Sequence, residues 1–249
     1  MPRHKAPAQR GLADSEELEL TRRFPDRGDQ IRNEVGYHRR LLRIHVGAII
    51  FDYGNVLCSS PLAAEIEGMA KILGMSVPDF QQRYWQDRLS FDRAVLDPAA
   101  YWNAVAGRTL SADEINRLQQ IDSASWSHPC AVMPDWAKRI RAAGIRTGLL
   151  SNMPAPVRDY IVQCPWLPEF DHRTFSCDLR STKPSPEIYR HSLAGLGVSA
   201  SDALLLDDRV ENIRAAEALG IHGVLFTTPE ALPHELDRRF AIHVPVVVK

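Results

Sequence analysis

The stretch that decides the fold is residues 46–57, which reads Val-Gly-Ala-Ile-Ile-Phe-Asp-Tyr-Gly-Asn-Val-Leu. Its first six residues carry no polar side chain, and such a run is typical of a central parallel strand that is buried on both faces. The run ends at Asp52, and a loop containing Gly54 and Asn55 follows. We therefore expect a strand that delivers one carboxylate to the carboxyl edge of a sheet.

Strands and helices alternate along the second half of the chain. The predicted strands are residues 145–150, 203–206 and 222–226, with a short one near 174–177. The predicted helices are residues 134–143, 156–164, 187–196 and 210–219. This alternation predicts an α/β fold built on a doubly wound parallel sheet, with a Rossmann-like arrangement of strands.

Residues 60–126 interrupt this alternation with helix signals and no convincing strand. Four helix starts are predicted from capping residues and prolines, at Ser60-Pro61, Ser76, Asp97-Pro98 and Ser111. The second of these helices is expected to run to Arg88. The segment is too long for a plain crossover connection, so we predict a small helical cap at 60–126. It is inserted into a core made of residues 45–59 and 127–249.

Residues 1–44 are predicted to form a partly disordered N-terminal extension, with one short helix from Ser15 to Phe24. The whole chain has 30 Lys+Arg against 31 Asp+Glu, so no overall charge favours a nucleic-acid partner. No apolar run reaches the roughly 18 residues that suggest a membrane span. The four cysteines form no C-x-x-C pair. These features predict a cytoplasmic monomer or homodimer with reduced thiols and no nucleic-acid or membrane partner.

Polar residues stand where ligands bind in such sheets, beyond the carboxyl ends of the strands. They are Asp52, Ser151-Asn152 and Asp207-Asp208, with Lys183 in the loop before a helix. Each residue alone is compatible with a helix cap, a turn or a surface ion pair. Together, three close carboxylates call for a cation, and oxygen ligands without His or Cys suit Mg²⁺. The ordered set predicts attack on a phosphate ester by a carboxylate, with a lysine and Mg²⁺ stabilising the transferred group.

Four segments that contain these residues resemble the four ordered motifs of the haloacid dehalogenase-like (HAD) hydrolases. They are residues 49–57, 148–152, 183–189 and 206–212. The insertion resembles the helical type-one cap of that superfamily. The first motif, Phe-Asp-Tyr-Gly-Asn-Val, is similar to that of the glucose-1-phosphate-type phosphatases.

The resemblance implies roles for the matched positions. Asp52 would be the nucleophile and a ligand of Mg²⁺, and the carbonyl of Gly54 would be a second ligand. Asp208 would bind Mg²⁺ directly, with Asp207 beside it or acting through water. The phosphoryl group would be held by Ser151, Lys183 and Asn152.

Position 54 departs from the superfamily pattern, which places a second aspartate two residues after the nucleophile as general acid and base. Here that residue is glycine. Loss of such a group typically costs about 10²–10⁴-fold in rate. We therefore expect a slow phosphatase, one restricted to good leaving groups, or one that takes a proton from the cap or from solvent.

The cap is expected to select the substrate. Arg88 is the main candidate for contact with a second anionic or polar group, and Tyr84 and Asp92 are further candidates. Three aromatic side chains are instead expected in the core of the cap: Trp85, Tyr101 and Trp102.

The favoured hypothesis is a Mg²⁺-dependent phosphatase that acts on a small phosphorylated metabolite, for which a sugar phosphate is one candidate. A haloacid dehalogenase also uses an aspartate nucleophile but needs no metal, and the pair Asp207-Asp208 argues against it. A non-catalytic binding or regulatory protein on the same scaffold is supported only by Gly54.

Overall fold

The computed structural model describes residues 44–242 and 244–245. The predictions for residues 1–43, including the helix from Ser15 to Phe24, lie outside the described residues. Among the described residues, no helix combines the length and the hydropathy needed to cross a bilayer. None of the four cysteines is in a disulfide. The cytoplasmic location and the absence of a nucleic-acid partner stay predictions.

Five parallel strands form one sheet in the order β3-β2-β1-β4-β5. The strands are β1 (Ala48–Phe51), β2 (Arg146–Ser151), β3 (His172–Phe175), β4 (Ala203–Asp207) and β5 (His222–Leu225). Each neighbouring pair is parallel, and β1 pairs with both β2 and β4. The predicted doubly wound parallel sheet is therefore confirmed.

The two faces of the sheet are covered by helices. The core helices are α6 (Met133–Ala142), α7 (Ala155–Ile161), α8 (Ser176–Leu179), α9 (Pro186–Leu196), α10 (Val210–Glu217) and α11 (Leu232–Arg239). Side chains of α6, α7 and α11 pack with Ile49 and Phe51 on one face. Side chains of α9 and α10 pack with Ile50 on the other. The four residues of β1 are fully buried, as expected for a strand covered on both sides.

The segment of residues 63–125, between β1 and α6, is helical throughout its regular structure. Its helices are α1 (Ala63–Leu73), α2 (Val77–Gln86), α3 (Arg88–Asp92), α4 (Pro98–Ala106) and α5 (Ala112–Ser125). They pack around an apolar cluster of their own, which includes Phe80, Tyr101, Trp102 and Leu118. The predicted capping box at Ser111 is present, because its hydroxyl accepts from the backbone N–H of Glu114 and the Glu114 carboxylate accepts from the Ser111 N–H. We call this segment the cap; its predicted limits, 60 and 126, stay a prediction.

Four elements differ from the sequence-based expectation. Helix α1 begins at Ala63 rather than at Ser60, since the Ser60 hydroxyl donates to the side chain of Asn55 instead of capping a helix. Helix α2 ends at Gln86, and α3 follows as a separate short helix. Residues 176–179 are helical rather than part of a strand. Helix α11 was not predicted.

Candidate active site

The carboxyl ends of β1, β2 and β4 open onto a cavity of about 520 Å³. This volume lies within the range of roughly 300–1,000 Å³ that is usual for small-molecule sites. Most of the predicted site residues line it: Asp52, Gly54, Ser151, Asn152, Lys183 and Asp208. Parallel pairing of neighbouring strands brings these positions to one edge, although they are far apart in the sequence.

Lys183 lies between two of the carboxylates. Its Nζ is 2.7 Å from Oδ1 of Asp52 and 2.6 Å from Oδ2 of Asp207. The side chains of all three residues are at most one-tenth exposed. Oδ1 of Asp52 also accepts the N–H of Tyr53 at 2.6 Å. The nucleophile candidate is therefore held in one orientation by a buried ammonium group and a backbone donor.

Asp52, Asp207 and Asp208 form a cluster that fits a divalent cation. One carboxylate oxygen of each lies within 4.8 Å of the others. Facing a single ammonium group, three carboxylates leave two negative charges in excess. Burial raises the pKa of Asp52, and the neighbouring Asp207 and Asp208 raise it further, against the lowering effect of Lys183. A divalent cation with a preference for oxygen ligands would remove this excess.

Asp207 is completely buried, and besides Lys183 two donor groups hold it through three hydrogen bonds. The amide of Asn212 donates to its two oxygens at 2.9 and 3.1 Å, and the N–H of Arg209 donates to Oδ1 at 2.9 Å. No role is predicted for Asn212 from the sequence. Its place in the first turn of α10, five residues after Asp207, is the signal that could have indicated one.

Asp208 is held by a hydrogen bond from the loop that follows β1. The amide of Asn55 donates to its Oδ2 at 2.8 Å and accepts the hydroxyl of Ser60 at 2.6 Å. Asn55 has a φ of 58°, in the left-handed region that asparagine tolerates better than most residues. Asn55 belongs to the first motif, where no role is predicted for it, and in the structure it orients a carboxylate of the cluster.

Asn152 lines the cavity and also contacts the backbone of Lys183. Its Nδ2 donates to the carbonyl of Lys183 at 3.0 Å, and its Oδ1 accepts the N–H of Lys183 at 2.8 Å. Both ends of the amide are thus engaged with the backbone that carries the lysine. The side chain fixes the position of Lys183, and its predicted role in holding the phosphoryl group stays a prediction. Ser151, at the end of β2, is buried and lines the cavity as predicted.

Gly54 faces the indole of Trp126. A side chain at position 54 would place its Cβ 3.4 Å from Cζ3 of Trp126. The place of the missing general acid is therefore bordered by an aromatic ring from the end of the cap. The hydroxyl of Tyr53 also donates to the carbonyl of Trp126, so this ring is tied to the nucleophile loop.

The cap cation Arg88 reaches the cavity with its charge already paired. It is 5% exposed, its Nε lies 3.0 Å from Asp92, and its Nη1 lies 3.2 Å from Asp122. Tyr84 is buried beside it, donates its hydroxyl to Asp122 and does not line the cavity. Both residues were predicted to contact substrate. The structure places Tyr84 outside the cavity lining, in a buried hydrogen bond with Asp122. Arg88 lines the cavity with its charge paired, and its contact with substrate stays a prediction.

Trp85 also departs from expectation, since it was predicted to lie in the core of the cap. It is 55% exposed and lines the cavity. Helix α2 buries Phe80 and Tyr84, which are four residues apart, and Trp85 is turned by about 100° from that face. Tyr101 and Trp102 are fully buried, as predicted.

Comparisons with known proteins agree with this geometry. The profile of the haloacid dehalogenase-like hydrolases matches residues 46–220. The chain is 25% identical over 191 residues to a sesquiterpene phosphatase of Aspergillus oryzae, covering 76% of this chain and 94% of that protein. It is 25% identical over 191 residues to a phosphatase of Mycobacterium tuberculosis, covering 72% and 87%.

The fold is also found among solved structures. A HAD-family enzyme of Bacteroides thetaiotaomicron, crystallised with magnesium and inorganic phosphate, superposes with a TM-score of 0.62 at 19% identity. The superposition covers 76% of this chain and 98% of that one. With the family profile spanning all four motifs, the chain is an enzyme that belongs to the haloacid dehalogenase-like hydrolase family.

Proposed function

We propose that this hydrolase is a Mg²⁺-dependent phosphatase that acts on a small organic phosphate monoester, with Asp52 as the nucleophile. The observation that carries the proposal is the cluster of carboxylates and Lys183 at the carboxyl ends of β1 and β4. There, Asp52 shares Lys183 with Asp207 and lies next to Asp208 in a cavity that is open to a small molecule.

Mg²⁺ would be held by Asp52, Asp208 and the Gly54 carbonyl, with Asp207 beside them, and when bound it supplies positive charge to the phosphoryl oxygens. Asp52 attacks phosphorus through one carboxylate oxygen, and the bond from phosphorus to the ester oxygen breaks. That oxygen leaves with a proton taken from solvent. Water then hydrolyses the aspartyl phosphate and releases inorganic phosphate. Lys183 and Ser151 hold the phosphoryl group during both steps.

The relatives support the coarse activity. Two curated relatives are named as phosphatases, and the similar enzyme from Bacteroides thetaiotaomicron was crystallised with magnesium and inorganic phosphate. The proposal leaves the alcohol part of the substrate open, since a sugar phosphate is favoured only by the similarity of the first motif to that of the glucose-1-phosphate-type phosphatases.

Release of inorganic phosphate from p-nitrophenyl phosphate tests the proposal, with Mg²⁺ and with EDTA. We expect turnover that depends on Mg²⁺ and is lost in Asp52→Asn. Asp135→Asn is the matched control, because Asp135 is an exposed carboxylate outside the cavity. Halide release from a 2-haloacid without metal would instead favour a dehalogenase. The absence of turnover of any phosphate ester would contradict the proposal.

A further inference from the structure

We infer that the organic group of the substrate is apolar and uncharged, and that it binds against a wall formed by Trp85, Leu89 and Trp126. The inference rests on the proposed phosphatase function and narrows its substrate class to phosphate monoesters of apolar alcohols. We call these three residues the apolar wall.

The apolar wall consists of large side chains that the fold leaves open to the cavity. Trp85 and Leu89 are 55% and 50% exposed, and both line the cavity. The Trp85 and Trp126 rings meet edge to face, with centroids 6.4 Å apart. On the core side, Met153 and Val157 also line the cavity. When an apolar ligand covers exposed apolar area of this kind, the area is removed from water, and this favours binding.

The charges of the cavity exclude a second anionic group on the substrate. Three cations line it in the described part of the chain: Lys183, Arg88 and Arg209. Lys183 belongs to the phosphoryl site, Arg88 is paired with Asp92 and Asp122, and Arg209 is paired with Glu211. A carboxylate or second phosphate on the leaving group would meet the carboxylate of Asp92, and it could bind Arg209 only by replacing Glu211 in an exposed ion pair.

Polar atoms next to the apolar wall already form hydrogen bonds within the protein. The indole N–H of Trp126 donates to the Tyr84 hydroxyl at 3.2 Å, and the Tyr53 hydroxyl donates to the Trp126 carbonyl. A sugar loses its hydrogen bonds to water on entering the cavity, and these groups do not replace them. An alkyl or aromatic group has no such cost.

A series of linear alkyl phosphates from ethyl to octyl tests the inference. All members share a primary alcohol as leaving group, so only the apolar area changes. We expect kcat/KM to rise by about fourfold per methylene group, which corresponds to about 0.8 kcal/mol, until the cavity is filled. Two further substrates, glucose 6-phosphate and an alkyl phosphate with a terminal carboxylate, should react no faster than ethyl phosphate.

Variants locate the effect at the apolar wall. Trp85→Ala and Leu89→Ala should each make kcat/KM rise less steeply with chain length. Val95→Ala is the matched control, since Val95 is 62% exposed on the cap but does not line the cavity, and it should keep the wild-type slope.

The two proposals fail in different ways. If no ester, including p-nitrophenyl phosphate, releases phosphate, the phosphatase function itself is wrong. If p-nitrophenyl phosphate is hydrolysed in an Asp52-dependent reaction but kcat/KM is flat across the alkyl series, the apolar substrate class is wrong. The same conclusion follows if glucose 6-phosphate is preferred, or if Val95→Ala changes the slope as much as Leu89→Ala does.

Discussion

In the proposed reaction, Gly54 leaves the departing ester oxygen without a proton donor from the loop after β1. No side chain at this position can donate a proton, and the neighbouring surface is the ring of Trp126, 3.4 Å from where a Cβ would stand. An alkoxide that departs without a proton is a poor leaving group, whereas p-nitrophenolate needs none. The wild-type enzyme should therefore favour esters of acidic alcohols.

Gly54→Asp should raise kcat for butyl phosphate and leave kcat for p-nitrophenyl phosphate nearly unchanged. General acids contribute about 10²–10⁴-fold, and the gain should approach the lower end because Trp126 must shift to make room. Steady-state kinetics of both esters measure the effect. Gly54→Asn is the control for size, since it adds the same volume without an acid. Equal gains with aspartate and asparagine would contradict the explanation.

Asn212 keeps the carboxylate of Asp207 in place through two hydrogen bonds. Its removal should lower the affinity for Mg²⁺ by about 10–100-fold, the usual effect of losing a group that orients a metal ligand. The Mg²⁺ concentration that gives half-maximal activity in Asn212→Ala measures this. Glu211→Ala is the control, because Glu211 is an exposed neighbour that pairs only with Arg209. An unchanged Mg²⁺ requirement in Asn212→Ala would show that Asp207 needs no such support.

The helices of the cap show which contacts a local pattern predicts. Capping residues gave the correct starts of α2, α4 and α5, because each cap bonds to a backbone group three residues away. The pairing of Arg88 with Asp122 could not be predicted, since it joins α3 to α5 across 34 residues. Trp85 was misassigned because hydrophobicity alone does not say which face of α2 packs inward.

The buried carboxyl group of Asp92, the last residue of α3, makes the stability of the protein depend on pH. Burial raises the pKa of Asp92 from 3.8 to about 6, Asp122 raises it slightly, and Arg88 lowers it. Because the folded state then binds the proton more tightly than the unfolded state, the contribution of Asp92 to stability falls as pH rises from about 4 to about 6.

Asp92→Asn should remove this contribution. The difference in free energy of unfolding between the wild type and this variant, from urea denaturation, should change between pH 4 and 6 and stay constant above pH 7. Comparing two proteins at each pH cancels the titration of the other carboxylates. A difference that is independent of pH over the whole range would show that Asp92 titrates normally.

At the scale of the whole molecule, the sheet was predictable and the cavity wall was not. Continuous apolar runs identified β1 and β4, and their ends placed Asp52 and Asp207 at one edge. Two of the contacts that orient the site join distant segments, namely Asn55 with Asp208 and Asn152 with the backbone of Lys183, and no local pattern predicts them. Helix α11 was missed because it follows the last motif and buries only Leu232 and Leu236.

Binding of Mg²⁺ should stabilise the folded protein as a whole. A ligand that binds only the folded state adds about 2.7 kcal/mol at a concentration one hundred times its Kd. The thermal midpoint of unfolding should therefore rise with Mg²⁺ concentration. The rise should be much smaller in Asp208→Asn and should persist in Asp135→Asn. An equal rise in all three proteins would indicate an effect of ionic strength instead of a bound ion.

The two hydrogen bonds of the Asn55 amide connect the carboxylate cluster with the segment that leads into the cap. One reaches Asp208, and the other reaches Ser60, in the segment that leads from β1 into the cap. A cation that repositions Asp208 should therefore also act, through Asn55, on the segment that joins β1 to the cap. Because linkage is reciprocal, a substrate whose binding displaces that segment should change the affinity for the cation by the same factor as the cation changes the affinity for the substrate.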